Sequence, residues 1–288
     1  EIRGAKVAHT RDAVAMVRFL AWLDAQSPDA GLTEIDVVKA LEGFRVQTNA
    51  LRDISFETIC GAGPHGAIVH YRVTENTNRP LGAGELLLVD SGGQYIEGTT
   101  DITRTMAIGS PTAEHRHCYT RVLQGMVAVS RIRFPRGVGG QHLDALARAP
   151  LWLAGQDYDH GTGHGVGSYL SVHEGPQGIS RRSEVALQQG MILSNEPGYY
   201  REGEFGVRIE NLIVVTDAPA LTGADDRKML AFETLTYVPF DRRLIDASLL
   251  TAAERHWIDG YHADTLHLLA PLLGSSDHDW LTKACAPL

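Results

Sequence analysis

LLLVDSGGQYIEGTTDIT, residues 86–103, is an apolar run that ends near Asp90, turns through Ser91-Gly92-Gly93 and returns to Asp101 eleven residues further on. Serine and glycine supply turn chemistry between two strand-like segments, so the pattern predicts a β-hairpin that brings both carboxylates to one spot. Aspartate also favours turns for structural reasons alone. What surrounds the hairpin decides between the two readings.

N-terminal to it, Ala13, Met16, Val17, Leu20 and Leu23 recur at helical spacing, and LTEIDVVKALEGF (32–44) offers Thr33 as an N-cap with Asp36 three residues on, a variant of the capping box. From about residue 54 the chain changes to short β-rich runs, AIVHY (67–71), ELLLVD (85–90) and TRTMAIG (103–109). Helical stretches follow near 112–132 and 141–154. MILSNEPGYY (191–200) and GVRIENLIVV (206–215) then read as two strands of one antiparallel pair, and KMLAFETLTYVP (228–239) as another strand. After Pro239 the pattern is helical again, which divides the chain into residues 1–240 and a C-terminal extension, 241–288.

The second stretch that carries chemistry is GTGHGVGSYLSVHEGP (161–176). Its alternating glycines do not fit G-x-G-x-x-G, because Val166 and Ser168 stand where the third glycine belongs. His160 and His164 are four apart, as in a helical zinc pair, but Gly161-Thr162-Gly163 makes a poor helix and the Glu of H-E-x-x-H is missing. The glycines suit irregular backbone passing close to a ligand or metal. His160, His164 and His173 fall within fourteen residues. The third stretch places Glu196 before a proline and Glu210 between Ile209 and Asn211-Leu212, with Arg208 on the same face if the strand is regular, as in a buried ion pair.

Asp90, Asp101, Glu196, Glu210 and one histidine are too acidic to share a pocket unneutralised. Two divalent cations balance the four negative charges, and oxygen donors with a single imidazole favour Mn²⁺, or else Co²⁺ or Zn²⁺. Such a pair can acidify a shared water and polarise a carbonyl, so the predicted class is metal-assisted hydrolysis.

Composition narrows the alternatives. With 288 residues and 43% hydrophobic content the chain can bury a substantial core, and its net charge of −9, without a basic block, argues against nucleic acid or an anionic membrane as partner. Three widely spaced cysteines, Cys60, Cys118 and Cys285, suggest neither a disulfide framework nor a thiolate zinc site and fit a reducing compartment. The absence of a long apolar run completes the expectation of a soluble cytoplasmic protein. Glu1 in place of a methionine suggests a piece of something longer.

GAIVHY, VDSGGQYIEGTTDITRT, HGTGHGVGSYLSVHEGP, NEPGYY and GVRIEN together resemble, in order and spacing, the catalytic domain of the Xaa-Pro aminopeptidases (aminopeptidase P) of the pita-bread metallopeptidase superfamily. LTYVPFDRRLIDASLLTAAERHWIDGYH (235–262) is similar to the extension of the longer, three-domain members. The resemblance implies an α+β pita-bread fold, a curved antiparallel sheet flanked by helices, and release of the N-terminal residue from peptides with penultimate proline by a hydroxide bridging two metal ions. It implies that Asp90 chelates one metal, that Asp101 and Glu210 bridge both, and that His164 and Glu196 complete the second coordination sphere. His70, His160 and His173 match positions that line the cleft, orient the scissile peptide or shuttle protons. Arg208 and Tyr200 match supporting and substrate-contacting positions. Glu196 is the implied base or proton carrier, His173 the implied oxyanion partner, and a homodimer the implied assembly. The long relatives' N-terminal domains have no counterpart here. Prolidase shares the five ligands and the fold and is the rival enzyme. Methionine aminopeptidase fits the Tyr199-Tyr200 segment and the extension poorly. A metal-free pita-bread binding module is the rival of another class, but such relatives lack the acidic set.

Overall fold

The computed structural model describes residues 1–27 and 30–288. The expected hairpin is present, but its turn is not Ser91-Gly92-Gly93: Ser91 ends one strand and Gly93 begins another, and the chain reverses at Ile96-Glu97, where Tyr95 pairs with Gly98. Strand Leu86–Ser91 pairs antiparallel with Ile102–Ala107 and, on its other edge, with Ile59–Ala62, in a register that sets Asp90 opposite Thr103 and Ile59. Every residue of the two hairpin strands is buried, because the sheet is covered on both faces. On one face Leu87, Val89, Ile102 and Met106 meet Met16, Val17 and Leu20 of helix α1 (Ile2–Asp24) and Leu41 of α2 (Glu34–Val46). On the other, Leu86 and Ala107 meet Val122, Leu123 and Met126 of α3 (Ala113–Ser130). The Thr33–Asp36 capping box forms in both directions.

A second antiparallel sheet runs in the order Ile192–Asn195, Asn211–Asp217, Met229–Thr234, Arg133–Pro135. Leu193, Ile213, Val215 and Leu230 from it pack with Val129 of α3 and with Leu143 and Ala147 of α4 (Gln141–Trp152). After residue 240 come α5 (Ala252–Leu269) and α6 (Ser275–Ala284), whose side chains enter the cores: Ile258 and Tyr261 join the α3 side, Leu281 the α1 side. No helix among the described residues is long and apolar enough to cross a membrane. Cys60, Cys118 and Cys285 are all buried and unpaired.

Two further expectations are corrected. AIVHY is not a strand: residues Gly63–Ala67 form a 3₁₀ turn and the chain then bends through His70, because Gly63 takes a positive φ of 52° and Pro64 has no N–H to give a ladder. MILSNEPGYY and GVRIENLIVV do not form one continuous pair. Each is broken, so that Ile192–Asn195 pairs with Asn211–Asp217 while Gly198–Arg201 pairs with Phe205–Arg208 in a separate ribbon. The breaks fall at Glu196-Pro197 and Ile209-Glu210. A proline interrupts the first ladder, and both glutamates sit where the chain passes from one sheet to the other.

Candidate metal centre

Each break and hairpin end aims a carboxylate at the same cavity. Its volume is about 320 Å³, and His70, Asp90, Asp101, His160, His164, His173, Glu196, Arg208 and Glu210 all line it. Tyr200 stands behind that wall and reaches it through hydrogen bonds. Ligand atoms of Asp101, His164 and Glu210 lie within 4.8 Å of one another. His164 Nε2 is 3.5 Å from both Asp101 Oδ2 and Glu196 Oε1. A larger cavity, about 430 Å³ between α1 and α6, holds no such cluster; Asp24 and Asp241 on its wall are both held by Arg243.

The cluster is deeply buried, with Asp101 3% and Glu210 1% exposed. Burial first, and then the neighbouring carboxylates, pushes the Asp101 and Glu210 carboxyls well above the ordinary carboxylate range. Burial raises Glu196 as well, against the opposing charges of His164 and Arg208. Arg208 is the paired cation, but its Nη2 donates to Asp90 Oδ2 at 2.6 Å and not to Glu210. The same-face argument failed because the strand stops at Arg208. Oδ1 of Asp90 and Oδ1 of Asp101 are buried with no hydrogen-bond partner among the described residues. Orphaned carboxylate oxygens facing a cavity that also holds an imidazole are the donor set that hard divalent cations take, so the residues fit such a group.

The cleft histidines are set by a relay. Arg208 Nη1 donates to the Tyr200 hydroxyl at 2.7 Å, so that hydroxyl gives its proton to His160 Nε2 at 2.8 Å, while His160 Nδ1 donates to the Gly161 carbonyl. Burial lowers His160 to about 4, consistent with this neutral imidazole. His173 packs edge-on against His164 with ring centroids 4.1 Å apart, and burial, then the His164 charge, lowers it too. Gly161 and Gly163 line the cavity, and Gly163 has a further reason to be glycine. A Cβ on Gly163 would lie 1.9 Å from the Ser194 carbonyl oxygen, so the loose backbone serves close packing of two protein segments.

Several supporting residues carried no sequence signal of their own. Thr103 Oγ1 donates to Glu210 Oε2 at 2.8 Å, and Ser194 Oγ contacts both His164 and Glu196. Asp144 and Arg148 form a bidentate buried pair on α4, and Arg148 donates to the carbonyls of Tyr158 and His160, fixing the turn that leads to His164. Of these, Asp144 and Arg148 could have been flagged, because they are four apart on a helix.

Without a cation, protons must neutralise this cluster. The stability contributed by Asp101, Glu196 and Glu210 is then fully present below the unfolded carboxylate range, roughly pH 4, and is lost as pH rises through their raised folded values. The metal-stripped chain is therefore expected to melt at a lower temperature at pH 8.5 than at pH 6.5, and Mn²⁺ to raise the melting point more at the higher pH. Calorimetry in chelator and in Mn²⁺ checks this; a melting point that climbs with pH in chelator contradicts it.

The chain matches the family model for metallopeptidase family M24 over residues 3–217 and that for the C-terminal region of peptidase M24 over residues 228–288. It is 46% identical over 299 residues to Xaa-Pro aminopeptidase 1 of Dictyostelium discoideum, covering 100% of this chain and 47% of that protein. The crystal structure of X-prolyl aminopeptidase from Caenorhabditis elegans, a cytosolic enzyme with a di-nuclear active site, superposes with a TM-score of 0.94 at 38% identity, covering 100% of this chain and 47% of that one. Xaa-Pro dipeptidase from Bacillus anthracis is more distant, with a TM-score of 0.70 and 29% identity over 84% of this chain and 61% of that one. The chain spans about half the length of the curated relatives it matches. The resemblance to the aminopeptidases P is thus borne out, and the antiparallel sheets flanked by helices are the pita-bread fold. The chain belongs to metallopeptidase family M24.

Proposed function

We propose that this chain is the catalytic part of a metal-dependent Xaa-Pro aminopeptidase, and that Asp90, Asp101, His164, Glu196 and Glu210 hold two divalent cations, most naturally Mn²⁺. The observation that carries the reading is the buried cluster itself: Asp90, Asp101, Glu196 and Glu210 converge in one cavity where Arg208 is paired to Asp90, and two of their oxygens are orphaned. When bound, the cations supply a Lewis acid for the scissile carbonyl and a water acidic enough to attack near neutral pH.

The chain's own groups supply the rest. Glu196 accepts the proton of the attacking water at its carboxylate and passes it on to the leaving nitrogen. The leaving nitrogen needs that proton in any peptide; what is particular to proline is that its nitrogen offers no N–H and its ring restricts the backbone, so a site built for ordinary peptides fits it poorly. His173 donates to the oxygen on which charge develops. His70 and His160 orient the peptide, and Arg208 and Tyr200 hold His160 in the tautomer that leaves Nδ1 protonated. Substrates on this reading are peptides beginning Xaa-Pro, and the assembly is a cytoplasmic homodimer.

Incubation with Mn²⁺ and a peptide beginning Arg-Pro-Pro, read by mass spectrometry, is expected to show loss of one residue. Cleavage of Xaa-Pro dipeptides with no cleavage of Xaa-Pro-Xaa tripeptides would replace the aminopeptidase by prolidase. Cleavage of neither, with no Mn²⁺ uptake, would leave a binding module.

A further inference from the structure

The segments that carry His164 and Glu196 run side by side. Glu196 N donates to Thr162 O at 2.7 Å, Val166 N to Ile192 O at 3.0 Å, and Gly165 and Leu193 form an antiparallel bridge. Between them the Ser194 side chain, 0% exposed, accepts from the His164 backbone N–H at 2.9 Å and donates to Glu196 Oε1 at 3.1 Å. A hydroxyl has one proton. With the His164 N–H directed at its oxygen, that proton is committed to Glu196, and Ser194 is the hydroxyl donor to this carboxylate among the described residues. The other carboxylates are oriented separately: Glu210 by Thr103, Asp90 by Arg208.

We propose that Ser194 is a positioning residue for one half of the metal centre only. It holds the His164 backbone and the Glu196 carboxylate together for one of the two cations, while Arg208 holds Asp90 for the other and Thr103 holds Glu210, whose loss would reach both. The inference rests on the dinuclear reading above. Groups that orient metal ligands typically change metal affinity by about 10–100-fold when removed.

Calorimetric titration of Mn²⁺ into chelator-stripped parent, Ser194→Ala and Ser194→Thr proteins tests it without reference to activity. The parent is expected to take up two ions. Ser194→Ala is expected to bind one with parental affinity and the other ~10–100-fold more weakly, and Ser194→Thr, which keeps the hydroxyl, to recover both. Melting of the stripped proteins shows whether the alanine variant is folded, and the threonine variant carries the test if it is not. Parental affinity for both ions in Ser194→Ala, equal weakening of both, or a threonine variant no better than alanine overturns the inference alone. A parent that takes up no Mn²⁺ overturns the dinuclear reading and the inference with it.

Discussion

Glu210→Gln is expected to abolish Mn²⁺ binding at the paired site and to lower kcat/KM on Xaa-Pro peptides by at least about a thousandfold. The magnitude follows from the several kcal/mol of charge stabilisation that a metal ion lends a polarised carbonyl, since each 1.4 kcal/mol or so is a tenfold change in rate. Its stability signature separates a lost ligand from a damaged fold. In the metal-free chain Glu210 is 1% exposed and burial favours its neutral form. An amide of the same shape keeps one acceptor for Thr103 Oγ1 and removes a charge the interior does not welcome. The stripped variant is therefore expected to melt no lower than the stripped parent at pH 8.5. Mn²⁺ at a hundred times its dissociation constant, which stabilises a one-site protein by about 2.7 kcal/mol, is expected to stabilise the parent and not the variant. A variant that gains as much from Mn²⁺ as the parent would show that Glu210 is no ligand.

Arg104→Met is expected to cost about 3–5 kcal/mol of folding stability, as the loss of a buried hydrogen-bond network that leaves several acceptors unpaired. Arg104 is 1% exposed and ties four stretches together. Its Nη1 donates to the carbonyls of Thr103 (2.9 Å) and Glu210 (2.6 Å), its Nη2 to Asn211 Oδ1 (2.8 Å), the Val238 carbonyl (2.7 Å) and the Tyr261 hydroxyl (3.0 Å), and its Nε to the Pro239 carbonyl (3.3 Å). Its guanidinium also lies over the Phe240 ring. Removing the fork leaves buried acceptors unpaired at roughly 1–3 kcal/mol each, partly relieved by relaxation. Lysine, with three donors on a flexible stem, is expected to recover only part of the loss. Urea unfolding of the stripped proteins measures both. A loss below about 1 kcal/mol, the size of an ordinary hydrogen bond, would mean that the C-terminal helices dock without this link.

Arg104 also shows why parts of the fold could not be read from the chain. In TRTMAIG it reads as one polar position of an alternating strand, yet its partners lie more than a hundred residues away. Burial on both faces is a property of what the fold brings over the strand. Ser194 and Thr103 were overlooked on the same ground: a hydroxyl on a strand has no distinctive pattern until its neighbour is known. By contrast α1 follows from its apolar spacing and α2 from its capping box and apolar face, which are local. Even there the helix runs further than the spacing from Ala13 shows: Ile2–Asp24 is one helix with Ala5, Ala8 and His9 buried, because small and imidazole side chains make no strong hydrophobic stripe. The metal-centre candidates were legible for a different physical reason. Four carboxylates at the ends of apolar runs are hard to explain individually and easy to explain jointly, once charge balance is demanded. The pairing of Arg208 was misread because period-two reasoning assumes that the strand continues, and here it ends one residue too soon.

On the reading proposed above, five side chains from three distant stretches hold two divalent ions. Anomalous diffraction at the manganese edge from crystals grown with Mn²⁺ tests it most directly. Two peaks roughly 3.5–4 Å apart are expected, enclosed by Asp90, Asp101, His164, Glu196 and Glu210. No peak in that cavity, or peaks only on surface carboxylates, would contradict it.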